Sequence, residues 1–408
     1  MKHQATAACG RRIQTAQQSI AHYQHEQRHE QPGRPAAFNR QSLKRNQLSK
    51  YQIAVVRGDG IGPEVCDSAV QVVTQAVGAS RLDLVDLPAG ATHFKETGSA
   101  LPEETFQACA KADAILHGAA GIPGVVYPDG TEAGIEFGLK LRFRLDIYAN
   151  VRPIKLYPNV ISPLRGRDAG SIDYVILREN TEGLYAARGG GNLLHDEIAT
   201  DTMVITRKGT ERIVRQAFEM SRRRNGALKD GKRRVTCCDK ANVLRSYAFF
   251  RSVFNDVAKD YPDIETDYAY ADAIMVHMVK RPDFYDVIVT ENMFGDIISD
   301  LGAVSVGGMG MSPSAELGDN NGFFQAAHGS APDIAGQNVA NPIGTILSGA
   351  MMLKWLGDRK GDATLNEASQ RIERAVDAVM RDGSVLPRDI GGTSSTTEIT
   401  AAVCKALK

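Results

Sequence analysis

Short continuous apolar runs alternate along this chain with longer stretches whose apolar residues recur at helical spacing. Residues 51–56, Tyr-Gln-Ile-Ala-Val-Val, read as a short buried strand. Gly58, Gly60 and Gly62 then make a tight turn, and Pro63 suits the first turn of a helix. Residues 64–77 carry helical apolar spacing. A strand, a glycine turn and a helix open an α/β fold. The pattern recurs. Strands are predicted at 114–116, 173–177, 234–238 and 286–290, with a Gly-rich loop over 118–124. Helices are predicted at 208–224, with a strongly basic end, at 247–260, and near 343–355 and 365–380. Gly189, Gly190 and Gly191 predict a flexible or hairpin segment, and no internal repeat is visible.

Length turns this pattern into two domains, since 408 residues exceed one ordinary core. The 48 basic and 48 acidic residues cancel, so no global field draws the chain to nucleic acid or to a membrane surface. No apolar run reaches the ~20 residues of a membrane helix, and a soluble, cytoplasmic protein is expected. Cys9, Cys66, Cys109, Cys237, Cys238 and Cys404 show no paired spacing and lie away from clustered histidines. Reduced thiols are expected, with Cys237 and Cys238 side by side in a buried strand. The first 50 residues differ from the rest: rich in Gln, Arg and His, with Glu26 and Glu30 as their acids. They lack the apolar core of a secretory signal. Their composition shares features with organelle transit peptides, but it favours a disordered extension or an upstream start.

The chemistry concentrates in two runs. In the first, Asp296 and Asp300 are four residues apart, which places both carboxylates on one face of a helix. Such a pair suits a hard cation, Mg²⁺ or Mn²⁺. The second, from His328 through Gly329, Ser330, Ala331 and Asp333 to Gly336, is a loop of small residues able to wrap a polar cofactor. Gly58, Gly60 and Gly62 give GxGxG, not the dinucleotide fingerprint GxGxxG, and no acid follows in the required place, so a structural turn is the reading. Arg142, Arg144 and Arg152 lie close together, and Arg178 follows an apolar strand. Arginines near an acidic metal pair suggest a substrate with more than one carboxylate. Lys240 directly follows a buried strand, and Asp272 heads an apolar stretch as an N-cap or a third metal ligand.

In this order the segments resemble the β-decarboxylating dehydrogenase family, whose members act on isocitrate, 3-isopropylmalate, homoisocitrate and tartrate or D-malate. The resemblance covers roughly residues 51–408. It implies an α/β fold of two domains, 51–147 with 307–408 and 148–306, with a non-Rossmann cofactor site in the cleft between them. It implies that Arg142, Arg152 and Arg178 grip the malate carboxylates, that Tyr185 is the general acid, and that Lys240 takes the hydroxyl proton. Asp272, Asp296 and Asp300 match the metal ligands. Lys240 and Asp272 are those that the family supplies from the partner subunit of a homodimer. The stretch from His328 through Asp333, with Asn341, matches the loop holding the adenosine half of the cofactor. Asn242 matches the approach to the nicotinamide, and Ile61 borders the same cleft. Where the family's NADP users carry Lys-Tyr, this chain has Asp333 and Ile334. A carboxylate there accepts bonds from ribose hydroxyls and repels a 2′-phosphate, so NAD is expected.

Substrate choice in the family lies just before the first arginine. The Ser and Asn of the isocitrate pattern are replaced here by Glu136 and Gly138, which argues against isocitrate. Leu139 with Lys140 resembles the tartrate/D-malate members. The apolar lean of Ile135, Phe137, Leu139 and Leu141 favours an apolar substituent, with 3-isopropylmalate first, tartrate or D-malate second and homoisocitrate third. A non-catalytic regulatory subunit would lose the Tyr, Lys or Asp residues, and all are present. Nucleic-acid binding through the N-terminal stretch or through Arg222, Arg223 and Arg224 finds no support in a recognisable module.

Overall fold

The computed structural model of the protein describes residues 50–407 apart from Asp129 and Gly189. The reading of the N-terminal extension therefore falls almost wholly outside the described residues. Strands β1 (Tyr51–Gly58), β2 (Leu82–Asp86) and β3 (Ala114–Ala119) alternate with helices α1 (Gly62–Val77), α2 (Ala91–Thr97) and α3 (Glu103–Lys111). Helix α4 (Ala133–Arg144) leads into β4 (Ala149–Lys155) and β5 (Asp173–Glu179). A small hairpin of β6 (Asn192–Leu194) and β7 (Ile198–Thr200) follows, as the run of glycines suggested. Then come α5 (Arg207–Arg223), β8 (Arg234–Asp239), α6 (Arg245–Ala258), β9 (Glu265–Tyr270), α7 (Ala271–Lys280), β10 (Val287–Thr290) and α8 (Asn292–Ser305). Strands β11 (Pro313–Leu317) and β12 (Gly322–Ala326) precede α9 (Ile343–Lys360), α10 (Ala363–Asp382) and α11 (Thr396–Ala406).

Apart from β6 and β7, these strands form one sheet in the order β2-β1-β3-β12-β11-β4-β5-β10-β8-β9. Strands from residues 51–119 and 313–326 make one half, and strands from 149–290 make the other. The outer pairs are parallel, and the seam β12-β11-β4-β5 is antiparallel. Parallel strands covered on both faces need continuous apolar sequence. Accordingly β5 is buried from Tyr174 through Glu179, and Cys237 and Cys238 are fully buried neighbours in β8. The core continues through α9, where Ile346, Met352 and Leu353 are fully buried.

The structure corrects two local readings. Gly118 belongs to β3 and not to the loop after it, because a Cβ there would lie 2.2 Å from the Gly62 carbonyl and the strand packs tightly on the glycine turn. Asp272 does not cap α7. Tyr270 is the N-cap, and Asp272 sits in the first turn, where a carboxylate is favoured by the helix dipole. The basic end of α5 is also not bare: Arg222 pairs with Asp263 and Arg224 with buried Asp286.

Candidate active site

Three adjacent parallel strands, β5, β10 and β8, end in chemistry-bearing residues. Arg178 lies near the end of β5, Lys240 just past β8, and β10 delivers the start of α8. That start is fixed by Glu291, whose side chain accepts from the backbone N–H groups of Met293 and Phe294 as an N-cap. Its other bond comes from the Tyr247 hydroxyl at 2.9 Å. The helix then presents Asp296 and Asp300 one turn apart, as their spacing predicted.

Asp296 is the hub. Arg178 donates Nη1–H to its Oδ1 and Nε–H to Asn292 Oδ1 at 2.9 Å. Arg152, on β4, approaches the same oxygen at 3.4 Å, lies 3.6 Å from Asp300 and donates to Ser299 Oγ at 2.6 Å. The Tyr185 hydroxyl donates to Asp296 Oδ2 at 3.3 Å. Burial, with the like charge of Arg152 next, lowers the Arg178 guanidinium to about 10. Burial and the Asp296 charge raise the Tyr185 phenol, keeping it protonated and able to donate.

Arg142 lies at the end of α4 and takes a different partner. Its Nε–H and one Nη2–H both reach Glu316, at 2.6 Å each. Arg144, two residues on, points elsewhere: it pairs with Glu103 at 2.8 Å and lies over the Phe106 ring. Spacing alone could not separate these two arginines. Beside Tyr185, a pocket of about 630 Å³ is lined by Leu139, Lys140, Phe143, Tyr127 and Arg188, and Lys140 pairs with Glu136 at its wall.

Lys240 and Asp272 stand apart from this cluster and bind each other at 2.6 Å. The Asp272 side chain is 68% exposed, and the lysine bond lowers its carboxyl below the ordinary range. Among the described residues, no three His, Cys, Asp or Glu side chains are placed to hold a metal ion together. Asp296 and Asp300 are two hard oxygen donors one turn apart on α8, the donor type that suits a divalent cation. Asn242 is exposed on the turn after β8.

The glycine turn and the small-residue loop form one unit. Ile61 N–H donates to the Ser330 carbonyl at 2.7 Å, and Ile61 packs with Val65, Ala340 and Ala331. Asp59 is buried and accepts from the N–H groups of Ala91, Thr92 and Gly121, clamping the turn from below. His328 accepts or donates at Thr345 Oγ1 across 3.4 Å. Gly329 faces open space, since a Cβ there would meet nothing within 4 Å, and Asp333 is exposed. Asn341 is buried, its amide donating to Asp389 and accepting from Ile343 N–H, so its side chain anchors the loop.

A family model described as isocitrate/isopropylmalate dehydrogenase matches residues 52–403. The chain belongs to that family. Among curated family members, the 3-isopropylmalate/3-methylmalate dehydrogenase of Methanocaldococcus jannaschii is 43% identical over 359 residues, covering 88% of this chain and 99% of its own. The 3-isopropylmalate dehydrogenase of Corynebacterium glutamicum is 41% identical, with the same coverage. The crystal structure of isocitrate dehydrogenase from Methylococcus capsulatus matches with a TM-score of 0.77 at 36% identity, over 88% of this chain and 99% of that one. The protein is accordingly a dehydrogenase of the isocitrate/isopropylmalate family, with that family's α/β fold. Within this family member, Arg152, Arg178, Tyr185, Asp296 and Asp300 come together in one cluster. Sequence reading missed Glu316, which lies in the short mixed strand Pro-Ser-Ala-Glu-Leu that no apolar pattern marks.

Proposed function

We propose that the protein carries out NAD-dependent, divalent-metal-dependent oxidative decarboxylation of a substituted (2R)-malate, with 3-isopropylmalate as the substrate. The reading rests chiefly on one observation: buried arginines converge on the Asp296–Tyr185 pair, beside a pocket walled by Leu139 and Phe143. The arginines suit a dicarboxylate and the wall suits an apolar substituent. The names of the curated relatives support the same substrate, which would place the enzyme in leucine biosynthesis.

Arg142, Arg152 and Arg178 orient the substrate by its carboxylates. Asp296 and Asp300, with Asp272 of the partner subunit, would hold a divalent cation, which would supply Lewis-acid chemistry at the site. Lys240 of the partner subunit accepts the hydroxyl proton. The loop His328–Asp333, with Ile61 and Asn242 at its borders, would hold NAD⁺, which would supply the hydride acceptor. Tyr185, kept protonated by its surroundings, returns a proton to the carbon left by CO₂. Asp333 favours NAD over NADP by charge. The two halves of the strand order support a division into 51–147 with 307–408 and 148–306, with the cofactor in a non-Rossmann cleft between them.

A homodimer is part of this reading. The outer faces of α7 and α8 expose Met275, Val276, Val279, Ile297 and Val304, an apolar surface next to Asp272. Tartrate or D-malate is the second reading, favoured by the Lys140–Glu136 pair at the pocket wall. Among the described residues no helix is long and apolar enough to cross a membrane.

The test is NADH formation at saturating Mn²⁺ or Mg²⁺ with 3-isopropylmalate, D-malate, tartrates, homoisocitrate and isocitrate, with NADP⁺ and chelator controls. A dominant chelator-sensitive rate with 3-isopropylmalate and NAD⁺ is expected. A dominant rate with malate or tartrate would select the second reading, and silence across the panel would remove both.

A further inference from the structure

Arg142 differs from the other two arginines in how it is held. Arg152 and Arg178 pair with Asp296, an acid on α8. The partner of Arg142 is Glu316 on β11, fully buried and given no part in the chemistry above. Glu316 lies opposite Asn150 on β4, which lies opposite Arg178 on β5. Neighbours in register share a sheet face, so Glu316 rises on the same face as Arg178. Both of its oxygens are occupied. Oε2 accepts from Arg142 Nε and from Asn180 Nδ2 at 2.9 Å, and Oε1 accepts from Arg142 Nη2 and from Gln325 Nε2 at 2.8 Å. The carboxylate is thus fixed by two further side chains, Asn180 after β5 and Gln325 on β12, besides the arginine.

A guanidinium has two usable forks, the Nε–Nη2 side and the Nη1–Nη2 end. Glu316 takes the side fork. Among the described residues, both N–H groups of Nη1 and the second N–H of Nη2 take no hydrogen-bond acceptor and are left for another carboxylate. We propose that Glu316 is a positioning residue for substrate binding, which holds Arg142 by its side fork and thereby presents its end fork to a substrate carboxylate. This rests on the reading of Arg142 as a substrate-carboxylate binder. The role is separable from simple charge compensation by sign. If Glu316 merely offset one positive charge, its neutralisation would tighten binding of a dianionic substrate. If it orients Arg142, neutralisation weakens binding despite the added positive field.

The experiment uses full-length enzyme with Mn²⁺ and NAD⁺, and compares wild type, Glu316→Gln, Arg142→Lys and the double variant. Glu316→Gln is expected to raise KM for 3-isopropylmalate by about tenfold or more, with kcat within about threefold and KM for NAD⁺ unchanged. In the Arg142→Lys background, where no side fork exists, the same change is expected to move KM by less than about threefold. An unchanged or lowered KM, or an equal rise in both backgrounds, would overturn the proposal. Should Glu316→Gln not fold, Gln325→Met removes one of the bonds fixing the carboxylate and is expected to raise KM about twofold; no rise would overturn the proposal equally. A wild type silent on the whole panel would defeat the substrate reading instead. The positioning role is then decided by calorimetric binding of D-malate, where the same weakening in Glu316→Gln is expected and its absence overturns the proposal.

Discussion

Lys240 and Asp272 form an ion pair of 2.6 Å just beyond the ends of the neighbouring parallel strands β8 and β9, whereas Asp296 and Asp300 engage the arginines of β4 and β5. Four residues assigned to one reaction therefore sit in two places on one chain. Under the dimeric reading each active site draws on both subunits. Lys240→Ala and Asp296→Asn are each expected to be inactive alone. Refolded together at equal amounts they should recover about a quarter of wild-type activity, because half of the dimers are mixed and each has one intact site. Activity measured across mixing ratios checks this, and no recovery in correctly formed mixed dimers would place the whole site in one chain.

Asp296 carries two arginines and Tyr185 as well as its proposed metal role. Asp296→Asn keeps the shape but loses the charge. A fall in kcat/KM of about 10³ or more is expected, equivalent to about 4 kcal/mol of lost transition-state stabilisation. Calorimetric titration with Mn²⁺ should show weakened binding in the same variant. Chelation of wild-type enzyme should abolish turnover reversibly, with restoration on adding metal back.

Gly60 has a positive φ of 59°, and a Cβ built on it would lie 1.9 Å from the Ser330 carbonyl oxygen. Gly60→Ala must part the turn from the cofactor loop. A loss of about 1–3 kcal/mol in stability is expected. KM for NAD⁺ should rise more than KM for the organic acid. Thermal melting and cofactor titration check the two effects separately.

Burial alone would raise the Glu316 carboxyl, but the charge and bonds of Arg142, with those of Asn180 and Gln325, bring it down to about 2 from 4.5. A depressed carboxyl contributes stability that is present above the unfolded value and is lost as pH falls through the folded one. Between about pH 5 and pH 2 wild type should lose about 3 kcal/mol from this group. Urea midpoints across that range should fall less steeply in Glu316→Gln than in wild type.

Much of the site was readable because its parts are local. Asp296 and Asp300 share a helix face by spacing alone, and α5 and β5 follow from apolar periodicity within a single element. Glu316 was not readable, because its partner Arg142 is 174 residues away and a lone acid in a short mixed strand has no pattern. Asp272 shows the same limit from the other side. Its sequence position allowed a cap or a ligand, and only the backbone path around Tyr270 removes the cap.

The sequence by itself determined the α/β class and several of the principal strands and helices, and it named candidate residues, since helix and strand periods, glycine turns and acid spacing are properties of neighbouring residues. The tertiary structure alone decided that β11 and β12 lie between β3 and β4, which of two nearby arginines meets Glu316, and that Lys240 with Asp272 stands apart from Asp296. Those outcomes depend on strand pairing across distant parts of the chain, where burial of the whole sheet, and not the preference of any one segment, sets the order.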